Sequence, residues 1–161
     1  EAANKEVGGS ELDAKKVREF NAGYIELFIK RYVSSSRGQL EFVADEKRQT
    51  SIDDELMERL DEWEQKRPDK IATRETVEAS DAFAKLAFLS AGVTKLIWVA
   101  QGAKPCPYCE NLNGTVMGIE QNFIDQGTAY EPEGADGSMK IYSPCSHAPL
   151  HGGCVCTIVP E

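Results

Sequence analysis

Cys106-Pro107-Tyr108-Cys109 and, separated from it by 35 residues, Cys145-Ser146-His147-Ala148-Pro149-Leu150-His151-Gly152-Gly153-Cys154-Val155-Cys156 decide how this chain is read. All five cysteines and both histidines fall in these two segments, with a polar, glycine-rich loop between them. Two residues between cysteines let the backbone turn tightly enough for both thiolates to reach one tetrahedral ion at about 2.3 Å. The remaining ligands must come from the far segment. There His151 and Cys154, spaced H-x-x-C, make the most natural pair, with Cys156 as the substitute and Cys145 or His147 behind it. The separation exceeds that of a compact zinc finger, so the metal is expected to tie a late strand back to an early loop.

Other chemistries compete for the same cysteines. Cys-Pro-Tyr-Cys is also the active-site sequence of glutaredoxins, which makes a thiol-disulfide oxidoreductase the alternative function. That chemistry wants the first cysteine at a helix N-terminus, and Asn111 to Gly114 is read as leaving no room for such a helix. A zinc deaminase shares the P-C-x-x-C half of its signature with Pro105 to Cys109, but it needs an upstream H-x-E, and no His precedes residue 106. Disulfides among the five cysteines remain open, although the odd count argues against a fully paired framework. The H-x-x-C spacing favours a metal. Four protein ligands would close the coordination sphere, which predicts stability without catalysis.

Around this region the chain reads as helices first and strands later. Val17, Phe20, Tyr24, Leu27, Phe28 and Tyr32 recur at three- and four-residue steps and predict an aromatic helix seam, ended by Ser34-Ser35-Ser36-Arg37-Gly38. Glu1 to Ser10 reads as a frayed leader. Ser51 is placed as an N-cap, with Asp53, Asp54 and Glu55 in the first turn of a second helix. Leu56, Leu60 and Trp63 line that helix, and Pro68 stops it. Its acidic face, Glu58, Asp61, Glu62 and Glu64, reads as solvated, with docking of a basic partner as the sharper reading. A third helix runs from Asp69 to Ser90, with Ala72, Ala79, Phe83, Leu86 and Leu89 on its apolar face. Lys95 to Val99 is bulky and β-favouring and predicts a strand. Asn113-Gly114 marks a hairpin turn, Glu131 to Ser138 a loop, and Cys154 to Val159 a last strand ended by Pro160.

The bulk numbers narrow the function classes. No run of eighteen apolar residues exists, so no membrane span is expected. The net charge is -9, and from Pro105 onward only Lys140 is basic, which disfavours nucleic-acid binding by the cysteine-rich part. The sequence opens on Glu1 and is read as a piece of a longer polypeptide. No P-loop, Rossmann fingerprint, G-x-S-x-G or H-E-x-x-H is present.

Taken in order, Arg74-Glu75-Thr76, Lys95 and Trp98, Cys106-Pro107 with Cys109, Leu112 and Gly114, Phe123, and Pro149-x-His151-x-x-Cys154-x-Cys156 resemble a known set. The set is that of the phage Mu F-like minor head proteins, also called head morphogenesis proteins. The resemblance spans about residues 70 to 160. It implies a minor capsid component, not an enzyme, acting near the portal in head assembly or in genome packaging and ejection. Its implied partners are the portal and other head proteins, and its implied place is the virion, or the host cytoplasm during assembly. Similar domains occur fused to toxin or transferase modules, so an effector beyond Glu161 is also implied as an option. One departure matters: relatives often carry Arg between the last two cysteines and Pro after the His, where this chain has Val155 and Gly152. The missing Arg weakens any inferred DNA contact.

The expectation is therefore an α+β chain. A helical region over 1–68 precedes a module over 69–161, whose small β and loop part is tied by Cys106, Cys109, His151 and Cys154 around a structural zinc.

Overall fold

The computed structural model describes residues 12–45 and 51–161, so the expected leader lies outside the described residues. The chain is α+β: long helices come first and a small sheet and loop region follows. Its described residues form two compact units, Leu12–Asp69 and Lys70–Glu161. Among them no helix is long and apolar enough to cross a membrane.

The first unit corrects two expected helix ends. Helix α1, Ala14–Asp45, runs straight through Ser34 to Gly38. Helix α2, Ile52–Ser90, continues past Pro68, so the predicted second and third helices are one. Side chains that read as breakers are used here for contact. Ser36 Oγ donates back to the Tyr32 carbonyl at 2.8 Å and accepts from Arg67 Nη2 at 2.8 Å. Gln39 Oε1 accepts from Trp63 Nε1 at 3.0 Å. The Arg67 guanidinium lies 4.3 Å from the Trp63 ring centre and 5.6 Å from that of Tyr32, within cation–π range of both. These contacts between α1 and α2 straddle Gly38 on one helix and abut Pro68 on the other.

An interior proline forfeits a backbone bond, here to the Glu64 carbonyl, and crowds the preceding turn at a cost of about 3 kcal/mol. Pro68→Ala is expected to stabilise the chain by about 1–3 kcal/mol in denaturant unfolding, because it restores that donor. Unchanged or lowered stability would refute this account of the helix.

Aromatic pairs stud α1, with Phe20 and Tyr24 5.9 Å apart and Phe28 and Tyr32 4.7 Å apart. The expected seams are narrower than predicted: Leu27 is 64% exposed and Leu60 46%. At the start of α2, Asp53, Asp54 and Glu55 occupy the first turn, as the Ser51 pattern predicts.

In the second unit, β1 (Lys95–Val99) is the centre of a three-stranded antiparallel sheet. It lies between β2 (Val116–Gly118) and β5 (Thr157–Pro160). Trp98 faces Ile158 across the β1–β5 ladder, and Pro160 pairs with Leu96 instead of standing outside the strand. A proline is tolerated there because β5 is an edge strand at its last residue. Two short strands, β3 (Ala129–Tyr130) and β4 (Met139–Lys140), flank the predicted loop.

The core gathers Phe88, Leu96, Trp98, Leu112 and Ile158 with four of the five cysteines. Trp98 meets Phe123 edge-on at 5.2 Å. The face that α2 buries holds Asp81, Ala82, Ala87 and Phe88, whereas Leu89 of the predicted face is 49% exposed. The helix is rotated from the apolar expectation by a polar tie. Asp81 Oδ1 accepts from Thr157 Oγ1 at 2.7 Å and from the Ile158 amide at 3.1 Å.

A further correction concerns the segment after Cys106. A six-residue helix, α3 (Pro107–Leu112), stands where none was expected. Pro107 opens it with φ already set for a first helical turn, and Cys106 is its N-cap. Asn113 (φ -57, ψ 126) and Gly114 (φ +77) then form a type II turn closed by the Thr115 amide on the Leu112 carbonyl at 2.8 Å. Asn-Gly thus ends a helix and is not the two-residue loop of a hairpin.

Candidate metal centre

Two local turns aim the donors. Cys106 and Cys109 sit at the N-cap and in the first turn of α3, where the Glu110 amide reaches the Cys106 carbonyl at 2.9 Å and curls both thiols to one side. In the far segment, the Cys154 amide meets the His151 carbonyl at 3.2 Å, which folds H-x-x-C into a four-residue turn with Gly153 at φ +81. Only glycine adopts that conformation without strain. Gly153→Ala is expected to cost about 1–2 kcal/mol and to weaken metal retention, measured by thermal unfolding and chelator competition. Gly152→Ala, whose added carbon would meet nothing within 4 Å, is the control expected to change neither.

The donors meet around Cys109. Cys106 Sγ lies 3.0 Å from His151 Nε2, Cys109 Sγ lies 3.6 Å from the same nitrogen, and Cys109 Sγ lies 3.4 Å from Cys154 Sγ. Ligands about 2.3 Å from a tetrahedral ion stand about 3.7 Å from one another, so these separations are close to tetrahedral edges. The donor atoms form two triads, Cys106–Cys109–His151 and Cys109–Cys154–Cys156, each within 4.8 Å throughout. The quartet expected from sequence is thus divided between the triads. Cys154 sits beside Cys156 in the second, and the two triads share Cys109. This Cys/His cluster can hold a metal ion.

Its electrostatics suit a cation. The bond with Cys109 drives the Cys154 thiol down to about 5 against the penalty of burial, and the same bond, with burial, pushes Cys109 well above the ordinary thiol range. Burial pushes the Cys106 thiol up, but the Cys109 amide and His151 outweigh it and leave the thiol below its usual value. Burial likewise lowers His151, and the Gly152 carbonyl and Cys106 reverse this to a net rise. With Nδ1 donating to the Gly152 carbonyl at 2.9 Å, the lone pair of Nε2 is turned toward the thiols, as a metal-binding imidazole requires.

Cys145 and His147 stay out of both triads. Burial pushes the Cys145 thiol up to about 12, and its Sγ donates to the His147 carbonyl at 3.3 Å. All five cysteines are free.

The supporting residues were not legible in the sequence. Tyr130 places its hydroxyl 3.0 Å from the Tyr108 carbonyl and 2.9 Å from Asn111 Oδ1, and Tyr108 donates to the Gly137 carbonyl at 2.6 Å. These bonds hold α3 against the β3–β4 region. Lys85 Nζ donates to the Ser146 carbonyl at 3.1 Å, beside the turn that leads to His151. Each partner lies nineteen or more residues from its contact, with no spacing rule to signal it.

The fold and cluster define an α+β protein with a Cys/His centre fit for a metal. Comparison with protein-family models, with curated proteins and with solved structures gave no match.

Proposed function

We propose that this chain is a phage minor head protein whose Cys/His cluster holds a structural zinc ion. It acts near the portal in head assembly or in genome packaging and ejection, in the virion and, during assembly, in the host cytoplasm. The observation that supports this reading is that the ordered motif residues, though scattered in sequence, converge. Trp98, Cys109, Leu112, Cys154 and Cys156 belong to one core and Phe123 packs on it. A motif spent on one core and one metal centre suits a structural protein. Soft thiolates with one imidazole favour zinc over magnesium or calcium, and four of these donors would leave no open position for catalysis. In this reading the acidic face of α2, with Glu58, Asp61 and Glu64 exposed, is offered to the portal or other head proteins.

The test is mass spectrometry of purified phage particles. The expected result is this chain at a copy number of the order of the portal's; its absence from both particles and assembly intermediates would sink the proposal.

One observation favours a second reading. Cys106 caps α3, beside His151, with its thiol held below the ordinary value, as in a thiol-disulfide oxidoreductase. A disulfide-reduction assay on wild type and Cys106→Ser separates the two, since only the enzyme predicts turnover that is lost on substitution.

A further inference from the structure

A tetrahedral ion takes four ligands, and the cluster offers five. The surplus is arranged in a definite way. Cys109 alone belongs to both triads, while His151 and Cys156 each belong to one. His151 is half-buried, whereas Cys156 is only 2% exposed. Val155 is 44% exposed, whereas Cys154 and Cys156 on either side of it are buried and share one triad with Cys109. The first triad needs one more ligand to make four, and the second offers two sulfurs beside the shared cysteine, Cys154 and Cys156.

Resting on the zinc reading above, we propose that the centre is a four-position site served by five donors. Cys106, Cys109, Cys154 and His151 hold the ion, and Cys156 is held in reserve. When the imidazole is lost, the bond from His151 Nε2 to the metal breaks, Cys156 Sγ binds in its place, and the thiol proton of Cys156 passes to solvent. Four thiolates still make a closed site, so the fastening survives loss of its most exposed ligand. Cys109 is the donor common to both triads.

The experiment is a titration of the full chain with cobalt(II) under anaerobic, reducing conditions, followed by competition with zinc. Intensity of the thiolate-to-cobalt charge-transfer band reports the number of sulfur ligands. Wild type is expected to bind one cobalt. His151→Ala should also bind one, with that band stronger by about a third as three thiolates become four, and with affinity within about tenfold of wild type. Cys156→Ser should match wild type in spectrum and affinity. The double variant should lose more than about a thousandfold. Loss in His151→Ala as large as in the double variant, with native circular dichroism, would overturn the proposal. A weaker band in Cys156→Ser, or two cobalt ions per wild-type chain, would do the same. If the double variant does not fold, the two single variants decide the matter by themselves. Failure of wild type to bind either metal overturns the zinc reading itself, an outcome distinct from all of these.

Discussion

Removing the metal from the purified chain with a chelator, under reducing conditions, is expected to lower the unfolding temperature of the Lys70–Glu161 unit by about 10–20 °C. The reasoning starts from what the donors hold in place. Cys106 and Cys109 belong to α3, while Cys154 and Cys156 lead into β5, the strand that pairs with β1 from Leu96 to Val99. An ion held by this cluster would therefore close a loop of more than forty residues between Cys109 and Cys154. Without it, Cys109 and Cys154 stand 3.4 Å apart in a setting where burial opposes charge on either sulfur. Structural zinc contributes on the order of 10 kcal/mol in small fingers that have no other core. This unit has a core of its own around Trp98 and Phe88, so a smaller loss, about 2.5 kcal/mol, is expected, and each kcal/mol moves a domain of this size by about 4–8 °C. The accompanying signature is faster amide exchange in β5 and in the His151 to Cys156 turn. An unchanged melting curve after verified metal removal would show that the cluster fastens nothing.

The second large effect is expected at Asp81, a charged residue only 3% exposed. Burial pushes its carboxyl above the ordinary range, and the hydrogen bonds from Thr157 and Ile158 hold it back. What β5 needs from Asp81 is an acceptor, since Thr157 Oγ1 and the Ile158 amide both end on Oδ1. Asp81→Ala leaves two buried donors without a partner and is expected to cost about 2–4 kcal/mol. Asp81→Asn keeps a carbonyl oxygen in place and removes the desolvated charge, so it is expected to fall within about 1 kcal/mol of wild type. Denaturant unfolding of both variants checks this. Equal losses in the two would mean that the charge, and not the acceptor, ties α2 to the sheet.

Features that depend on neighbours in sequence could be read in advance. The strand over Lys95 to Val99 has β-favouring residues at nearly every position and occupies those five residues in the structure. The acids after Ser51 mark where α2 begins. Cys-x-x-Cys puts two donors on one side of a single turn, and the spacing alone carries that information, whereas H-x-x-C folds into a turn whose His151 and Cys154 go to different triads. The failures have a common origin in contacts from far along the chain. Ser34 to Gly38 and Pro68 have the local chemistry of helix ends. Arg67 and Trp63 nevertheless bond across to Ser36 and Gln39, from 31 and 24 residues away. The buried face of α2 was misplaced for the same reason, because its orientation is fixed by a carboxylate whose partners lie 76 and 77 residues on.

The sequence by itself determined which atoms could bind a metal and the short turns that present them, since both follow from spacings of two or three residues. Only the tertiary structure decided that the two presentations converge on Cys109, with one donor more than a tetrahedron can use. Packing of β5 between β1 and Asp81 sets that meeting point, and such packing depends on residues too far apart in the chain for any local pattern to record.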